Sequence, residues 1–272
     1  MARSLDYGVV DIMADPAALR RRPRTLALGF WLASRGPSAK LMLAFSVALA
    51  IAGVFASRWM AHDDTHLLPL VPRFASYAFA WGAALGFGVA AAARAPFRDV
   101  ETGVLALIRA RGGTLSEYVI GRVGGLALWL GLLSVGGTAI TSVAALSVAH
   151  PTGAMVRASA GAALYALVFA LAMGPLAMAT LGGRSRFRGY LAFLAVIVLP
   201  ELGSPWVRTL IPEGWHELTS LPSALETLQS VASASTNGLA ASRALAGLTA
   251  VAAISIVIVH AHAVRAAQRT PS

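Results

Sequence analysis

Few side chains in this sequence have the type and spacing that chemistry needs. HDDTH, residues His62 to His66, places four potential metal ligands in five positions, and a His-x-x-x-His pair meets on one face of a helix. The stretch is also what a short polar loop between two apolar runs looks like, so a solvated loop is preferred and no metal site is assigned. The single lysine, Lys40, lies in SRGPSAKL, which lacks the G-x-x-x-x-G-K-[ST] pattern that cradles nucleotide phosphates. The chain therefore has no P-loop, binds no cofactor by itself and is not expected to be an enzyme. An intramembrane serine protease is disfavoured too: the apolar run 160–181 contains no serine, and His260 is the only partial match to a deep base. Cysteine is absent, which excludes disulfides and thiolate metal sites.

What remains is a finished polar segment, DVETGVLALIRARGG, from Asp99 to Gly113. Val100, Val104, Leu107 and Ile108 recur at helical spacing and predict one apolar stripe. Asp99 is placed to cap the start, with Glu101 beside it to complement the helix dipole, and Arg109 and Arg111 complement the other end. Gly112–Gly113 stops the helix. Thr114 and Glu117 then form a T-x-x-E capping box that starts the next helix. This pattern predicts a helix with an ordered turn into the membrane; the competing expectation is a helix that merely lies on lipid.

The elements that must position this segment are apolar. Of 272 residues, 57% are hydrophobic and 12% charged, with mean hydropathy +0.69, against about 25% charged in soluble domains. Runs of about 20 apolar residues match a bilayer core. They are continuous rather than alternating, so helices are expected and a barrel is not. Six spans are predicted, at 41–57, 74–93, 119–149, 160–181, 189–202 and 241–262. The third is longer than a bilayer needs, and the fifth is short, with Pro200 and Glu201 marking the interface. The organisation is a 1–40 N-terminal segment, a 41–262 transmembrane domain and a 263–272 tail.

Net charge is +10, and 21 of the 22 basic residues are arginine. Seventeen fall in the N-terminal segment, the loops after spans two and four, and the tail; five, Arg58, Arg73, Arg157, Arg208 and Arg243, fall on the other side. The positive-inside rule makes both termini cytoplasmic, and the charge is read as topology, with no nucleic-acid partner. Upstream, Arg20 to Arg24 precede TLALGFWLASRG, where Leu26, Phe30 and Ala33 recur at helical spacing. This predicts an amphipathic interface helix held at anionic headgroups, or else a basic topogenic flank with no further role. The longest outer piece, 203–238, is read as two short helices dipping toward the membrane, with a solvated loop as the alternative. Gly82/Gly86 and Gly121/Gly125 have G-x-x-x-G spacing, which suits close packing within the chain better than a dimer contact.

Glu101, Gly103 and Leu105, followed by Ser116, Glu117, Tyr118, Gly121 and Arg122, resemble the loop and third-span motif of ABC-2-type transporter permeases. The proline usual between the two halves is replaced by Gly112–Gly113. The six-span, both-ends-in layout and the proline-rich outer segment are similar as well. The resemblance implies a permease subunit of an ABC exporter in a bacterial inner membrane. A second permease subunit, identical or different, would complete the path, and a separate ATPase dimer would carry ATP and Mg. The segment Asp99–Arg111 would then be the coupling helix. Val100, Val104, Leu107 and Ile108 would lie in an ATPase groove, Glu101 would cap the helix or meet a basic partner residue, and Gly103 would allow close backbone approach. The spans carry mild polarity (Ser76, Tyr77, Ser134, Thr138, Tyr165) and no ionisable group near a midplane, which favours lipid-like, amphipathic or polymeric cargo over small ions. The alternative is an ion-coupled secondary transporter or channel with no ATPase partner.

Overall fold

In lipid a backbone must satisfy its own hydrogen bonds, and continuous apolar runs leave the helix as the means of doing so. The computed structural model describes residues 25–63, 65–148, 152–231 and 238–268, and among them there is no strand. Helix α1 covers Thr25–Ser34, α2 Pro37–Asp63, α3 Leu70–Ala92, α4 Ala95–Glu101 and α5 Val104–Ala110. Then come α6 Leu115–Val148, α7 Gly153–Leu181, α8 Arg186–Leu210, α9 Leu221–Val231 and α10 Gly238–Ala267. Short 3-10 turns occupy Thr65–Leu67 and Glu213–Leu218. Six helices, α2, α3, α6, α7, α8 and α10, are long and apolar enough to cross a membrane. The protein is an all-α, multi-pass membrane protein.

The bundle is organised around α7. In its most apolar stretch 78% of residues are buried, against 11% in α2 and 17% in α8, so α7 is the hub and those two are peripheral. Small residues make the hub possible: a Cβ on Gly174 would press on the Ala127 backbone of α6. Pro175 sits inside α7 without ending it, as prolines in spans do when neighbouring helices enclose them. Helix α3 widens into a π-type segment at Ala78–Ala84, and there Trp81 Nε1 donates to the Tyr165 hydroxyl of α7 at 2.6 Å.

The N-terminal helix does more than rest on a surface. Gly29, Leu32 and Ala33 are buried, while Leu26 and Trp31 are half exposed. Glycines let α1 cross α6 backbone to backbone: a Cβ on Gly29 would collide with Gly121 O, and one on Gly125 with the Gly29–Phe30 peptide. Phe30 stacks on Trp129 at 4.6 Å, and Trp129 Nε1 donates to Phe30 O at 2.9 Å. The Gly121/Gly125 spacing is thus spent inside the chain. Arg20 to Arg24, which were expected to anchor this helix, lie outside the described residues, as do Asp64 of the HDDTH stretch and residues 269–272 of the tail.

Span five departs from expectation. It does not stop near Pro200–Glu201 but runs through Pro200 and Pro205 to Leu210, because each proline removes one backbone donor and not the element. The segment between spans five and six accordingly begins later. Its two short helices are Glu213–Leu218 and α9, and α9 packs on α7 and α10. Ala224, Leu225, Leu228 and Gln229 form its buried stripe.

Candidate functional site

The connection from α3 to α6 is built from a few local rules. Helix α3 ends at Ala92, and Arg94 takes a left-handed backbone, φ 54°. Its N–H donates to Leu181 O at 2.9 Å, stitching the end of α3 to the end of α7. Pro96 occupies the first turn of α4, where a missing N–H costs nothing. Helix α4 lasts seven residues, then the chain turns through Thr102 and Gly103 into α5. Gly103 has φ 73°, a conformation that favours glycine, and no atom lies where its Cβ would be. Within this chain its role is the turn.

The single helix expected over Asp99–Arg111 is therefore two short helices, and the predicted stripe is divided between two surroundings. Ile108 is 2% exposed and belongs to this protein's own core, as does Leu105. Val100 and Val104 are half-buried against the same core, while Leu107 is 51% exposed. Breaking the helix at Gly103 reorients α5 relative to α4, so a stripe drawn on one continuous helix does not survive. The exposed tip consists of Glu101, Thr102, Gly103, Ala106, Leu107, Arg109 and Ala110. Small residues dominate it, with one large apolar side chain at its centre.

The end of α5 follows the sequence closely. Gly112, at φ 75°, donates its N–H to Arg109 O at 2.9 Å, and Gly113 N–H donates to Ile108 O at 2.9 Å, the paired bonds of a Schellman stop. Thr114 N–H then donates to Glu117 Oε2 at 2.9 Å, and Glu117 N–H donates to Thr114 Oγ1 at 3.2 Å. The capping box is reciprocal, as its spacing predicts.

Asp99 is the residue whose role the sequence pattern misplaces. It does not cap a helix: it lies in the last turn of α4, 2% exposed, facing α6. Tyr118 donates its hydroxyl to Asp99 Oδ2 at 2.8 Å, and Arg122 Nε lies 2.9 Å from the same oxygen. Arg122 is equally buried, and its Nη2 meets no acceptor among the described residues. Tyr118 and Arg122 are one turn apart on α6, so one carboxylate engages one face of that helix twice. A signal for this was present: an arginine in VIGRVGGLALWL is a buried cation in waiting for a carboxylate. Partial burial, and then the Arg122 guanidinium, draw Arg98 below the ordinary arginine range, with Asp99 acting in the opposite sense. Glu101 instead pairs with Arg94 at 2.8 Å on the surface.

The loop is thus held at three points, on α7 through Arg94, on α6 through Asp99, and by its own caps. At the opposite end of the bundle the fastening centres on a neutral amide. Gln229 of α9 accepts from the Tyr77 hydroxyl at 3.1 Å and donates through Nε2 to Ser76 Oγ at 3.1 Å. Ser220, before α9, donates its hydroxyl to the Glu201 carboxylate of α8. No group of three or more His, Cys, Asp or Glu side chains able to hold a metal occurs among the described residues. No protein-family model matches this chain, and no curated protein matches it at a significant level.

Proposed function

We propose that this chain is the permease subunit of an ATP-binding-cassette exporter of the ABC-2 type, working with a separate ATPase dimer and a second permease subunit in a bacterial inner membrane. The observation that carries the proposal is the fastening of the α4–α5 loop. Its exposed tip presents Leu107 among small residues flanked by Glu101 and Arg109, while Asp99 and Arg94 bind its base to α6 and α7. Force applied by a partner at the tip would reach the hub helix and the longest span without first deforming the loop. The order of elements supports the same reading: a short helix before span one, short helices between spans two and three, and a helical pair before span six. Both described ends lie with this loop, since α1 crosses α6 near Gly121 and His262 Nε2 of α10 meets Ala179 O at 2.9 Å. With the arginine count, that face is cytoplasmic.

The partner surface is revised accordingly to Glu101, Thr102, Ala106, Leu107 and Arg109, with Gly103 setting the turn and Val100, Val104 and Ile108 supporting it from below. Tagged protein purified from its own host should carry an ATPase subunit with a Walker A motif and ATP hydrolysis. Ala106→Asp with Leu107→Asp changes exposed side chains, so the variant should insert and fold yet lose that subunit. Retention of the ATPase by the double variant, with hydrolysis intact, sinks this reading of the loop. Recovery of a chain that transports an ion along its gradient with no ATPase present would favour the ion-coupled alternative.

A further inference from the structure

A cleft of about 1030 Å³ among the described residues is bounded by α7, α8 and α10. It is distinct from the α4–α5 tip and plays no part in the proposed docking. Its mouth is cationic: Arg184 and Arg188 come from the turn after α7 and the start of α8, and His262 and Arg265 from the end of α10. None of its described lining residues is acidic, and no carboxylate pairs with these arginines among the described residues. His262 is fixed in place because its Nε2 donates to Ala179 O, which leaves Nδ1 as the free ring nitrogen. Deeper, the walls become apolar, with Val196 on α8 and Val251, Ile254 and Ile258 on α10.

The dimensions matter as much as the charge. From Arg265 back to Val251 is fourteen residues of α10, about 21 Å at 1.5 Å per residue. That is about half a bilayer core of roughly 30 Å plus part of the headgroup layer. A soluble anion would need the mouth but not the walls, and an acyl chain would need the walls but not the mouth. Arginines at a membrane boundary alone would reflect topology. Here they converge on a concavity one leaflet deep.

We infer that this cleft is a binding site for an anionic phospholipid of the leaflet facing the Arg184–Arg188 turn, its phosphate held by Arg184, Arg188 and Arg265 and an acyl chain lying along Val196, Ile254 and Ile258. The site is independent of whether an ATPase docks at the α4–α5 tip.

The test uses the full-length protein in neutral detergent, with lipid retention followed by native mass spectrometry and thermal unfolding. Phosphatidylglycerol should be retained and should raise the melting temperature, phosphatidylcholine with the same chains should do so much less, and glycerol 3-phosphate should have no effect. Arg188→Gln with Arg265→Gln, both exposed positions, should weaken phosphatidylglycerol binding about thirtyfold, taking about 1 kcal/mol per arginine near an anionic headgroup. Ile254→Trp, which fills the wall without touching the charge, should weaken it as well. Arg35→Gln with Lys40→Gln removes equal charge elsewhere and should leave binding unchanged. Equal retention of the two lipids overturns the inference. So does an equal effect of glycerol 3-phosphate, which would make this a free-phosphate site, or an equal loss in the Arg35/Lys40 control, which would make it diffuse surface charge.

Discussion

The two ends of this bundle are closed by different chemistry. At the end that carries the α4–α5 loop, the inner end under the proposed function, a buried carboxylate, Asp99, faces the buried Arg122 guanidinium and the Tyr118 hydroxyl. At the opposite end, the outer one under the same proposal, a neutral amide, Gln229, bridges Ser76 and Tyr77. Once formed, a buried ion pair is hard to open, since separation leaves two desolvated charges, whereas a neutral bridge exchanges for water at small cost. Under the proposed function the inner loop would move as one body with α6, while the Gln229 bridge would open more readily. That asymmetry suits a machine driven from the inside and opening to the outside, which is how the proposed function would use it.

The comparison is broken most directly at Asp99. Asp99→Asn keeps the shape but leaves Arg122 buried without a counter-charge, so a loss of roughly 3–5 kcal/mol is expected. Thermal unfolding in detergent should show a large drop in melting temperature. Adding Arg122→Met should recover part of it, because the pair, not either residue, is what the fold requires. If Asp99→Asn melts like the wild type, the inner end is not pinned by charge and the contrast collapses. Gln229→Leu is the outer counterpart. It removes two hydrogen bonds, while Ser76 keeps its bond to Arg73 O and Tyr77 keeps the Glu226 carboxylate, so a smaller loss of about 1–3 kcal/mol is expected. Hydrogen exchange should rise across α9 and leave α4 and α5 unchanged. Equal losses from the Asp99 and Gln229 variants would show that the two ends are fastened alike.

How much of this was legible follows from the range of each interaction. The six spans, the Gly112–Gly113 stop and the Thr114–Glu117 box are local, set by run length or by residues three apart, and they read directly from the chain. The break at Gly103 was misread because an apolar period of 3.6 continues across a turn that changes direction, so periodicity alone cannot register it. Asp99 was assigned to a cap for a similar reason: acid before a helix is a local pattern, whereas its partners Tyr118 and Arg122 lie 19 and 23 positions away on another element. Packing of α1 on α6 depends on three glycines, Gly29, Gly121 and Gly125, meeting across nearly a hundred residues. Span five outlasts Pro200 because a proline removes one backbone donor while the bonds of the neighbouring turns carry the helix on.

Between these extremes lies the junction that joins loop to span. Thr114→Ala removes the side-chain acceptor for the Glu117 N–H and should cost about 1 kcal/mol, within the usual 0.5–2 for caps. The effect should be confined to the start of α6, visible as faster exchange of amides 115–118. Unchanged exchange there would mean that the Tyr118–Asp99 bond alone fixes this entry, and would place still more of the inner fastening on the buried pair.

The smallest effect is expected at Glu101, and it sharpens the comparison by separating buried charge from exposed charge. Glu101 and Arg94 are only 2.8 Å apart, about as close as Asp99 and Arg122, but their side chains are 60% and 32% exposed. Water and salt screen such a pair, which is typically worth about 0–1 kcal/mol. The left-handed Arg94 is also held independently, by its N–H bond to Leu181 O. Glu101→Gln should therefore leave the melting temperature nearly unchanged at 0.15 M salt. If the loop tip docks a partner, the same variant should weaken ATPase co-purification while stability stays constant, because Glu101 lies on the exposed surface and contributes little beneath it. A fall in stability approaching that of Asp99→Asn would mean that distance alone governs these ion pairs, and the contrast between the pinned interior and the free tip would fail.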